Sequence, residues 1–192
     1  MNKRWFLAVI ATLALGACGE TEWRTKDISG LMPKLAFELT GESGDPITAE
    51  RFEDHITLMF FGYTQCPDIC PVTMGKLRAV MQELPDGVAG DTRVLFVSVD
   101  PDRDTPERLA DYTDAFGERF IGATGTQEQL QALNKRYRVT YSYGDAKGED
   151  NDYLVSHSSA VFAFDRQGEV RLMFRQDDDV AAIASDMRQL AR

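Results

Sequence analysis

Two nearly unbroken apolar runs, Ile56 to Phe61 and Arg93 to Val99, constrain this chain more than any other feature. A strand buried on one face alternates apolar and polar residues. A strand buried on both faces reads as a continuous apolar run, and such strands belong to parallel sheets covered by helices. Between the two runs, Leu77, Val80, Met81 and Leu84 recur at helical spacing. Pro71 suits the first turn of that helix, and Pro85-Asp86-Gly87 stops it. Strand, helix, strand in this order is a β-α-β unit, with Arg93 to Val99 expected as a central parallel strand.

The elements on either side extend the unit. Leu35 to Leu39 is patterned for a strand, and Gly41 to Pro46 is a turn cluster. Thr105-Pro106 offers an N-cap and first-turn pair for a helix carrying Leu109, Tyr112 and Phe116. Phe120-Ile121-Gly122 reads as a short strand, and Thr126 with Gln129 makes a capping box for a helix with Leu130, Leu133 and Tyr137. Ser159 to Phe164 and Glu169 to Phe174, joined by Asp165 to Gly168, read as an antiparallel hairpin. A last helix starts in Asp177-Asp178-Asp179 and ends in Arg188 and Arg192, which places acids at its positive end and bases at its negative end. The acidic triplet is read as this dipole match rather than as a metal site. The order predicts an α/β chain with a thioredoxin-like fold, a central mixed sheet flanked by helices, and an N-terminal extension. At 192 residues the chain suits one domain.

The extension has its own logic. Lys3 and Arg4 precede the apolar run Trp5 to Leu15, too short for an ordinary transmembrane helix, and Leu15-Gly16-Ala17-Cys18 follows. That ending resembles a bacterial lipobox, in which the cysteine becomes the lipidated first residue; the alternative is a plain secretory signal with Cys18 incidental. The expected organisation is therefore a lipoprotein signal peptide at 1–17, a flexible tether at 18–34 and a domain at 35–192. Cleavage after Ala17 would remove two basic and no acidic residues, taking the formal charge from −10 to −12. Such acidity gives no support to binding a nucleic-acid backbone. The domain is expected on a cell membrane, facing the periplasm.

An exported chain changes how its cysteines are read. With Cys18 assigned to lipid, Cys66 and Cys70 remain as an isolated pair in Phe60-Phe61-Gly62-Tyr63-Thr64-Gln65-Cys66-Pro67-Asp68-Ile69-Cys70-Pro71. They lie between a strand's carboxyl end, where open α/β sheets build their sites, and a helix N-terminus, whose dipole favours thiolate. A bridge across so short a loop stabilises little, which argues against a merely structural staple. The pair is read as one that cycles between dithiol and disulfide or holds a soft metal. The spacing is one residue wider than the common CxxC redox pair, and two sulfurs so placed could converge on an ion with metal–sulfur bonds of about 2.3 Å. Of two histidines, His55 precedes the first buried strand and is assigned a loop or strand-start role. His157 lies just before the hairpin, in the region that faces the cysteine loop in a thioredoxin-like fold. Two thiolates and an imidazole suit copper in both oxidation states, Cu(I) through sulfur and Cu(II) through nitrogen. Zinc would need a fourth ligand such as water. Asp68 and Asp100 are candidates for orienting the donors, against simple turn or cap roles.

Three segments then carry a family resemblance: FGYTQCPDICPVT at Phe61 to Thr73, SVDPDRDTP at Ser98 to Pro106 and YLVSHSSAVF at Tyr153 to Phe162. Together they resemble the Sco/SenC family of copper-binding assembly proteins. The resemblance implies a copper site formed by Cys66, Cys70 and His157. It also implies a chaperone role at the dinuclear copper site of cytochrome c oxidase subunit II, by copper delivery or by thiol reduction. An extracytoplasmic thiol reductant and an upstream periplasmic copper carrier would be its further partners. Lipid anchoring at Cys18 would differ from the transmembrane helix of many members. The other expectation is an extracytoplasmic thiol-disulfide oxidoreductase or peroxide-reducing enzyme, with Cys66 attacking and Cys70 resolving.

Overall fold

The structure is a computed structural model and describes residues 22–145 and 153–192. The expected signal peptide and Cys18 lie outside the described residues. At its centre is an eight-stranded mixed sheet in the order β1-β10-β9-β4-β5-β6-β2-β3. The strands are β1 (Lys26–Asp27), β2 (Glu38–Gly41), β3 (Pro46–Thr48), β4 (Ile56–Gly62), β5 (Thr92–Ser98), β6 (Phe120–Thr124), β9 (Val161–Phe164) and β10 (Val170–Phe174). A separate two-stranded ribbon pairs β7 (Tyr141–Tyr143) with β8 (Val155–His157). The helices are α1 (Ile69–Glu83), α2 (Asp86–Asp91), α3 (Pro106–Asp114), α4 (Gln127–Arg136) and α5 (Val180–Leu190).

The two apolar runs form the centre, as expected. β4 runs parallel to β5, and β5 parallel to β6, while β9 closes antiparallel on the other side of β4. Every residue of β4 is buried, which requires cover on both faces. The expected hairpin is β9–β10, paired antiparallel. The cap predictions hold in detail: Thr105 Oγ1 accepts from Arg108 N–H, and Thr126 and Gln129 bond reciprocally as a capping box. Asp179 caps α5 by accepting from Ala182 N–H at 2.6 Å, and Asp178 accepts from Arg175 N–H. The acidic triplet thus serves the helix start. The fold is thioredoxin-like.

Three stretches differ from the sequence expectation. The tether expected through residue 34 joins the domain well before that point. β1 pairs with β10 through Lys26↔Met173 and Asp27↔Leu172, and Ile28 is buried behind it. Arg24 and Thr25 donate their backbone N–H groups, and Thr25 its hydroxyl, to the buried carboxylate of Asp186 on α5. A segment with one core residue shows no periodicity, because here pairing and a carboxylate fix it rather than apolar burial. The strand expected from Leu35 begins only at Glu38. Before it the backbone is held from outside the sheet: Tyr137 Oη accepts from Ala36 N–H and donates to Lys34 O, and Leu35 N–H reaches Gly168 O. Pro85 stops α1, yet α2 follows at once and leads straight into β5.

Candidate metal centre

Cys66 lies in the loop after β4, and Cys70 lies in the first turn of α1. Their side chains are reduced, Cys66 half-buried and Cys70 fully buried. The backbone N–H of Cys70 donates to Cys66 Sγ at 3.3 Å, so the helix start orients one sulfur toward the other. His157, at the end of β8, brings Nε2 to 3.3 Å from Cys70 Sγ. The two sulfurs and an imidazole nitrogen all lie within 4.8 Å of one another, the single metal-capable group of three or more such side chains among the described residues. The structure therefore brings together the three residues singled out from the sequence. His55 is elsewhere, just before β4, with Nδ1 at 3.1 Å from Asp91 Oδ1.

The ring of His157 presents Nε2 to the sulfurs. Its Nδ1 lies 3.0 Å from Ser158 O, a carbonyl that can only accept, so Nδ1 carries the proton and Nε2 keeps its lone pair. Burial pushes the imidazole pKa below its ordinary value, which favours the neutral, ligating form. Burial pushes the Cys70 thiol strongly upward, with Cys66 and Asp104 adding to the shift against a backbone hydrogen bond near Tyr63. Cys70 is accordingly a thiol at neutral pH, and a metal that takes it as thiolate must displace its proton.

Several residues that build the site were not singled out from the sequence. A Cβ on Gly62 would stand 2.7 Å from both Cys70 Sγ and Phe96 Cε2, so only glycine lets the sulfur lie against the end of β4. Asp104 is buried and ties the cysteine loop to the sheet: it accepts from Thr64 N–H at 2.9 Å, Thr64 Oγ1 at 2.6 Å and Ser98 Oγ. Tyr63 packs edge-on to the His157 ring with centroids 5.9 Å apart. Asp104 stands in the same Asp-rich segment as Asp100, and nothing in the spelling ranks one above the other. Asp100, also buried, accepts from Arg103 Nε at 2.6 Å and from the Tyr153 hydroxyl. Asp68 is exposed at the N-cap position of α1, and its side chain makes no capping bond.

A thioredoxin-like fold with two cysteines and a histidine converging at the end of its first buried strand defines a class of redox-active or metal-binding proteins. Within that class, the SCO1/SenC family model matches residues 30–192, and the chain belongs to that family. It is 37% identical over 158 residues to the human mitochondrial SCO1 homolog, covering 79% of this chain and 52% of that protein. It is 33% identical over 141 residues to a SCO2-like protein of Rickettsia prowazekii, covering 73% of this chain and 68% of that protein. Among solved structures, Arabidopsis thaliana ScoI with copper bound is 30% identical, with a TM-score of 0.74 over 82% of this chain and 96% of that one.

Proposed function

We propose that this protein is a copper-binding assembly factor in which Cys66, Cys70 and His157 hold Cu(I) or Cu(II) as cargo. The observation that carries the reading is the convergence of two sulfurs and a lone-pair nitrogen within 4.8 Å of one another. Thiolates favour Cu(I), the imidazole extends the site to Cu(II), and three donors leave a position at which an acceptor's ligand can enter. Uptake at Cys70 replaces an S–H bond by an S–Cu bond and releases the proton. Oxidation of the pair to a disulfide removes two electrons and two protons and leaves no thiolate for the metal. An extracytoplasmic thiol reductant must then return those electrons before copper can bind.

The resemblance of the three signature segments supports a target at the dinuclear copper site of cytochrome c oxidase subunit II, and an upstream periplasmic copper carrier as the donor. Lipidation at Cys18 would hold the domain on a cell membrane, facing the periplasm. A second reading, a thiol-disulfide oxidoreductase, draws on the half-buried Cys66 beside the fully buried Cys70, an arrangement that suits attack by the first and resolution by the second. Exchange chemistry has no need of a neutral imidazole aimed at the sulfurs.

The test is copper stoichiometry of the full-length reduced protein, purified in detergent without oxygen, for wild type and His157→Ala. One copper per chain, bound far more weakly in the variant, is the expected result. Undiminished binding in His157→Ala overturns the three-ligand site, and rapid disulfide turnover without stable copper would favour the oxidoreductase.

A further inference from the structure

His157 reaches the cysteines from a ribbon that, among the described residues, shares no backbone ladder with the main sheet. β7 and β8 pair through Tyr141↔His157, Ser142↔Ser156 and Tyr143↔Val155, and one backbone bond continues the ribbon at each end, Gly144 N–H to Leu154 O and Ser158 N–H to Thr140 O. Side chains fasten the ribbon to the rest of the fold. The Tyr143 hydroxyl donates to Val99 O, one residue past the end of β5. Tyr153, two residues before β8, donates its hydroxyl to Asp100 Oδ1.

The Asp100 end of the second fastening is rigid. Asp100 is fully buried, its own N–H donates to Ser98 Oγ, and its second carboxylate oxygen accepts from Arg103 Nε at 2.6 Å. The Arg103 guanidinium then lies on the Tyr153 ring, 3.6 Å from the centroid, and 5.6 Å from the centroid of Tyr63. Tyr63 in turn stands edge-on to His157. Arg103 Nη1 and Nη2 are buried and have no hydrogen-bond partner among the described residues. Asp100 and the faces of the two rings hold this guanidinium in place. What this one provides is a flat cationic surface between two tyrosines, and each tyrosine leads to the histidine.

We propose that Tyr153, clamped by Asp100 and Arg103, is a positioning residue that holds His157 against the two sulfurs and thereby sets how well the site keeps Cu(II) relative to Cu(I). The inference rests on the copper reading given above. The two sulfurs suffice for the soft cuprous ion, whereas the cupric ion depends on the imidazole. Loosening the ribbon therefore withdraws the donor that matters most to one oxidation state.

The experiment compares Cu(I) and Cu(II) affinities of the full-length protein without oxygen, together with the Cu(II) electron paramagnetic resonance spectrum, for wild type, Tyr153→Phe, Arg103→Lys and His157→Ala. Tyr153→Phe keeps the ring and removes only the hydroxyl bond to Asp100. Its Cu(II) affinity is expected to fall about tenfold or more, the usual scale for residues behind metal ligands, with a changed spectrum and Cu(I) affinity nearly retained. Arg103→Lys keeps the charge and loses the planar stack, and is expected to move the same readouts in the same direction, so it decides the matter should Tyr153→Phe not fold. Unchanged Cu(II) affinity and spectrum, or equal losses for both ions, overturn the inference. His157→Ala separates the two levels: full Cu(II) binding in that variant sinks the ligand assignment itself, whereas its loss beside an unaffected Tyr153→Phe sinks only the positioning role.

Discussion

The two halves of the metal centre are built in opposite ways. The cysteine half belongs to the core: β4 is buried throughout, Gly62 leaves no free space around Cys70 Sγ, and Asp104 gathers three donors from the loop and from β5. The histidine half sits on two three-residue strands, with Tyr143, Leu154 and Ser156 exposed. Local stability follows buried contacts and protected hydrogen bonds, so the sulfurs are fixed by the fold while the imidazole is held by a few side chains. A centre of this kind keeps a permanent dithiol seat and an adjustable third donor. That suits a cargo that must be released as well as bound.

The contrast predicts a ranking of damage. Gly62→Ala strikes the rigid half hardest, because its Cβ would collide with a fully buried ring and with the sulfur at once. Overpacking of this sort costs about 1–3 kcal/mol or more. Thermal melting should show that loss together with impaired copper binding, and an unperturbed variant would mean that the β4 end is not tightly packed. Asp104→Ala should come next, at about 1–2 kcal/mol, since it strips the Thr64 and Ser98 donors of their shared acceptor. Asp104→Asn, which keeps the shape and part of the acceptor capacity, should cost less in the same denaturant titration.

On the histidine side the effects on folding should be small even where those on copper are large. His157→Ala should lower stability by less than about 1 kcal/mol, in the range of substitutions that leave the core intact. A cooperative loss of the whole fold would show that the ribbon is not separable from the core. The smallest effect concerns pH. Burial holds the folded His157 below its ordinary pKa of 6.5, so the unfolded chain takes up a proton before the folded one does. Its contribution is therefore complete above about 6.5 and is lost as pH falls toward the folded pKa. Denaturant midpoints of metal-free protein across that interval should drop less steeply in His157→Gln than in wild type.

The same contrast explains how far the sequence could be read. β4, β5, the β9–β10 hairpin and the caps at Thr105, Thr126 and Asp179 are each written in a local pattern, and so is the cysteine pair. His157 stands out because the chain has only two histidines. The ribbon that delivers it was not legible, since strands of three residues are too short to show a period. Gly62 reads as an ordinary residue ending an apolar run, because its constraint comes from Phe96, distant in sequence, and from Cys70, which the turn into α1 folds back against it. Asp104 and Asp100 differ in role only through what surrounds them once the loop after β5 has folded.

The early attachment of the N-terminal segment has a further consequence for reach. With Arg24 and Thr25 bound to Asp186, the chain from Cys18 to Arg24 can span at most about 20 Å, at some 3.3–3.6 Å per residue. A leash running to Leu35 would have allowed about 60 Å. Were Cys18 lipidated as proposed, the domain would ride close to the bilayer, at a high effective concentration toward acceptors in the same membrane and with little access to those beyond it.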